Sequence, residues 1–167
     1  MPFLLAATPA MAADMSTLTC ILDTMPAKLS KEFEADTKKL VFEDSHRINF
    51  PLEQQITAVT SECTKRHGWS PDAEFHAGVW TRMHFMARVL EARARAEGHD
   101  VDLVLRVWDA YPVEIRTRFM NKEDNAMFGI ALRDAGLKGP PQGSFIVGML
   151  VGILNMRDFH RARFAVT

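Results

Sequence analysis

His76, Trp80, His84 and Arg88 recur at four-residue steps, so on a helix they lie along one slowly turning stripe. Two imidazoles and a guanidinium on one stripe could bind an anion or act as acid and base near neutral pH. They suit a metal poorly. His76 and His84 are two helical turns apart, whereas zinc motifs place histidines one turn apart beside an acid. The same spacing fits a boundary face, with Trp80 packed inward and the histidines half exposed, and this is the preferred reading. The four residues are the ligand-binding candidates; no catalytic residue is assigned, and no metal or cofactor is expected.

Three other groupings bear on function. Ser144, Gly148 and Gly152 place small residues one turn apart, a stripe that lets a second helix approach closely. Packing inside the bundle is the leading reading and a homodimer contact the runner-up. The loop Gly139-Pro140-Pro141-Gln142-Gly143 opens onto a helix start, but it lacks the Walker spacing and lysine, so it reads as a rigid turn. Arg157, His160, Arg161 and Arg163 form a basic C-terminal end that complements a helix dipole. There is no Cys-x-x-Cys pair, no Gly-x-Ser-x-Gly elbow and no His-Glu-x-x-His motif.

The chain begins Met1-Pro-Phe-Leu-Leu-Ala-Ala-Thr-Pro-Ala-Met-Ala-Ala-Asp14. A short apolar run followed by Ala10-Met11-Ala12 reads as residues 1–12 of a signal peptide, with Ala13 opening a mature domain over 13–167. The basic residues that usually precede such a run are missing, and a start codon further upstream would supply them. The run is too short for a transmembrane anchor, which takes about 20 apolar residues. Export to a periplasm or beyond makes Cys20 and Cys63 a disulfide pair. One feature opposes it: on a regular helix Cys20 points away from the apolar stripe of Leu18, Ile21, Leu22 and Met25. The bridge therefore needs cover on both sides or a start that is not helical.

The elements that must position these residues are helical. The 167 residues are 47% hydrophobic and 25% charged, which supports one domain with a real core. A net charge of -1 disfavours nucleic acid. Ser16 or Thr17 caps a short helix that Pro26 ends. A charged helix spans about Leu29 to Asp44, with Phe33, Leu40 and Val41 toward the core. Asn49-Phe50-Pro51 starts a helix with the stripe Leu52, Ile56, Val59 and Cys63, stopped by Gly68. Ser70-Pro71-Asp72 starts a long helix to Glu97, with Phe75, Val79, Met83, Met86, Leu90 and Ala94 inward and Arg82, Arg93 and Arg95 solvated. Val101 to Tyr111 is apolar on more than one face, which predicts a central helix. Helix resumes over Val113–Met120, again to Asp134 with Gly136 as the stop, and finally over Ser144 to about Arg163. The expected fold is all-α, a bundle of six or seven helices with no confident strand.

The first expectation for function is an exported, non-enzymatic protein that binds another protein through an apolar patch or groove. The rivals are a small enzyme or ligand-binding bundle using the His/Arg face, and a self-associating subunit.

Overall fold

Local chemistry sets the helix starts in a computed structural model that describes residues 13–43, 45–47, 49–137 and 144–167. The expected leader and the Gly139–Gly143 loop lie outside the described residues. A 3₁₀ turn, Met15–Thr17, is capped by Asp14, which accepts the Ser16 amide; Ser16 and Thr17 do not serve as caps. Helix α1 is Cys20–Thr24, and Pro26 separates it from α2, Ala27–Phe42. Asn49 caps α3, Phe50–His67, and Ser70 caps α4, Pro71–Ala96. Asp100 caps α5, Val101–Ala110. Then come α6, Val113–Arg116, and α7, Lys122–Asp134, whose Asn121–Asp124 capping box pairs two otherwise orphan amides. Ser144 caps α8, Phe145–Phe164. Each side-chain cap contributes about 1 kcal/mol. Gly68, Gly98 and Gly136 follow helix ends at positive φ, where a side chain would be strained.

The described residues form an all-α bundle: six helices of ten residues or more, with α1 and α6 as short connectors. No helix among them is long and apolar enough to cross a membrane. Helices α4 and α8 run antiparallel along the middle. Phe164 near the end of α8 meets Trp69 before α4, at 5.2 Å between rings, and Ser144 before α8 bonds His99 after α4, at 2.8 Å. Two apolar clusters are strung on this pair. One joins α1, α2, α3 and the first half of α4 with Phe164; the other joins the second half of α4 with α5, α7 and α8.

This corrects the expected central helix. Helix α4 holds that place, and α5 buries one stripe, Val101, Val104 and Trp108. It also corrects the inner face of α4. Phe75 is 60% exposed, while Ala73, Ala77, Gly78 and Thr81 are buried. Small residues let neighbouring helices come close, and the large ring is displaced outward. Arg82, expected in solvent, is partly buried, bonded to the Gly78 carbonyl and paired with Glu53 of α3. Leu40 is 45% exposed and not in the core.

The expected helix over Val113–Met120 stops at Arg116. Asn155, buried on α8, donates to the Arg116 and Arg118 carbonyls and accepts the Met120 amide. One side-chain amide thus satisfies three backbone groups that a continued helix would have paired.

The cysteine sulfurs lie at disulfide distance, with Cα atoms 6.0 Å apart. The awkward facing of Cys20 is resolved by a start that is not regular helix: a 3₁₀ turn precedes α1, which begins at Cys20, and Leu18, Cys20, Ile21 and Cys63 all bury in one apolar cluster.

Candidate functional site

The structure divides the predicted stripe into three unlike parts. The His76 side chain reaches from α4 to His160 of α8, with Nδ1 to Nδ1 at 2.8 Å. Trp80 is buried and stacks obliquely on His84, with ring centroids 5.6 Å apart. The Trp80 indole N–H is buried without a partner among the described residues. Arg88 is turned toward α2, where it pairs with Glu34 at 3.2 Å. The four residues therefore do not converge on one ligand position. Among the described residues no three His, Cys, Asp or Glu side chains gather as a metal-binding group.

Chemically, the His76–His160 pair must share one proton: one ring nitrogen donates and the other accepts. Burial is the main influence on both, pushing each below the ordinary imidazole value of 6.5. Around His76, Asp72 on α4 opposes the shift and Arg163 on α8 adds to it; His160 is further affected by His76. Burial also lowers His84, with smaller help from Arg157 and Arg88.

The unfolded chain takes up protons on these imidazoles near pH 6.5, and the folded chain resists until lower pH. Their contribution is fully present above that value and is lost as the pH falls through the lowered folded values. The midpoint of urea unfolding is expected to drop between about pH 7.5 and about pH 5.5, one unit on either side of the usual histidine value, and His160→Gln should flatten the slope. A profile with the same slope in both proteins would contradict this.

His160 was legible in the sequence only as a C-terminal cation. Its role depends on the antiparallel pairing of α4 and α8, which no local spacing encodes. The buried carboxylate of Asp158 was likewise missed. It accepts the Trp108 indole N–H at 3.0 Å, Arg116 at 2.8 Å and Arg157 at 3.2 Å. A tryptophan inside an apolar helix does carry a signal, because a buried indole N–H usually finds an acceptor.

The glycine stripe is corrected in its leading reading. Gly148 and Gly152 are exposed, and an added Cβ at either would meet nothing within 4 Å. Among the described residues no helix packs on the stripe. Ser144 acts as the α8 cap and as a partner of His99.

A second site emerges from helices whose apolar side chains are only partly covered. A cleft of about 460 Å³ lies between α2, α3 and α4. Phe33, Leu40, Phe50, Met83 and Met86 supply its apolar walls, and Asp36, Glu53 and Arg82 its charges. These groups have partners inside the chain: Asp36 hydrogen-bonds His46 at 2.8 Å and Glu53 pairs with Arg82. The result is an apolar floor with a paired polar rim. Sequence periodicity assigned Leu40 and Met86 to the core because it registers apolar type and not whether a neighbour arrives to cover it.

Comparison with known proteins returns no match: no family model, no curated protein and no solved structure aligns with this chain.

Proposed function

We propose that this chain is an exported, non-enzymatic protein that binds an amphipathic helical segment of another protein in the cleft between α2, α3 and α4. The observation that carries the reading is the cleft itself. Part of its apolar lining is open, with Leu40 45% and Phe50 74% exposed, above the buried Phe33 and Met83. Open apolar surface costs solubility unless something covers it. Two methionines in the wall supply an adaptable surface for apolar side chains. A groove bounded by helices and rimmed by polar pairs suits a helix that buries one apolar face and keeps the other in water.

The cysteine pair at disulfide distance and the leader-like residues 1–12 support work outside the cytoplasm, in a periplasm or secreted. Self-association through Gly148 and Gly152 is the alternative interface. The two interfaces separate cleanly by mutation. Periplasmic proteins captured by the wild-type chain should be lost with Met86→Glu, which puts a charge into the cleft wall, and retained with Gly148→Leu. Capture that survives Met86→Glu and disappears with Gly148→Leu would reject the cleft.

A further inference from the structure

The end of the bundle where α4 begins and α8 finishes carries a second surface that shares no residue with the cleft. Phe75 and Phe119 are 60% and 61% exposed. Phe119 stacks on Phe159 with centroids 4.3 Å apart. Phe75 lies against both histidines of the pair, 5.3 Å from His76 and 5.9 Å from His160. Phe159 touches His160 edge-on at 5.2 Å. Three phenylalanines and two imidazoles thus form one aromatic cluster, open to solvent at Phe75 and Phe119 and buried at His160.

A cation stands at its Phe159 end. The Arg163 guanidinium sits 5.3 Å from the Phe159 ring centroid. Arg163 is exposed and forms no ion pair among the described residues. A guanidinium laid on a ring keeps its in-plane N–H fork free, and that fork matches a carboxylate. The acids of this region, Asp72 and Glu74, stand in the first turn of α4, and Asp72 acts on His76 together with Arg163. A broad anionic surface such as a bilayer would meet these acids together with Arg163. A short segment can place one carboxylate on Arg163 and avoid them.

From this arrangement we infer that the surface docks a short acidic segment of another protein, with an aromatic side chain against Phe119 and Phe159 and a carboxylate on Arg163. The probe is a synthetic peptide with one tryptophan flanked by glutamates, followed by fluorescence anisotropy on the full chain. Control peptides replace the glutamates by lysine or the tryptophan by alanine, and vesicles of phosphatidylglycerol test the bilayer.

The acidic tryptophan peptide should bind saturably and about tenfold more tightly than either control, equivalent to about 1.4 kcal/mol. Arg163→Glu and Phe119→Ser should each remove most of that advantage. Both positions are exposed, and unchanged circular dichroism would show that the variants fold. A third variant, Met127→Ser, alters an exposed apolar residue outside the surface and should bind like wild type. The inference is overturned if the three peptides bind alike, if none binds, if Arg163→Glu retains full affinity, or if the vesicles bind and the peptide does not. Failure here leaves the cleft reading standing, because Met86→Glu probes a different face.

Discussion

Replacing Cys20 and Cys63 together by serine should lower the unfolding free energy by about 4 kcal/mol. The chain-entropy relation gives that figure for a closed loop of this length, 43 residues apart in sequence. For a chain of this size the melting temperature would fall by on the order of 10 °C. The native environment adds to the effect. Cys63 is fully buried and Cys20 nearly so, so each serine would bring a hydroxyl into the α1–α3 contact. Urea unfolding of the variant and of reduced wild type should give similar losses. Equal midpoints for oxidised wild type and the double variant would show that the pair does not tie α1 to α3.

Asp158→Ala is expected to cost about 3–5 kcal/mol, the range for breaking a buried ion pair by removing one partner. The carboxylate lies where α5, α6 and α8 meet. Its loss leaves the Trp108 N–H without its acceptor and the Arg116 guanidinium without its counter-charge. Asp158→Asn should cost less, since it retains an acceptor for the indole. Trp108→Phe removes a donor and leaves the carboxylate with its two arginines, so the hydrogen-bond part of its cost is only about 1 kcal/mol. The ordering of the two Asp158 variants, read from urea midpoints, is the test. An alanine variant as stable as the asparagine variant would show that the pairing contributes little.

Helix boundaries were legible because they rest on local chemistry. Asn49, Ser70, Asp100, Asn121 and Ser144 cap helices at or near the expected starts, and Gly68, Gly98 and Gly136 stop them. What depends on tertiary placement was not legible. Phe75 has core composition and helical spacing, yet the neighbours pack on Ala73 and Ala77 and leave its ring outside. The stop at Arg116 depends on Asn155, 39 residues later. The histidine stripe was visible as spacing, but its chemistry is set by His160, 84 residues from His76. The cleft was hidden for the opposite reason. Its walls are apolar at core-like positions, and only the geometry of α2, α3 and α4 shows them open.

The central claim is that the cleft holds another protein. Placing a photo-crosslinking amino acid at Leu40, in the cleft wall, tests it in intact cells. The cleft predicts a discrete covalent adduct with one other protein, absent when Met86→Glu is added and absent when the crosslinker stands at exposed Asp109. No adduct at position 40, or the same adducts from positions 40 and 109, would contradict it.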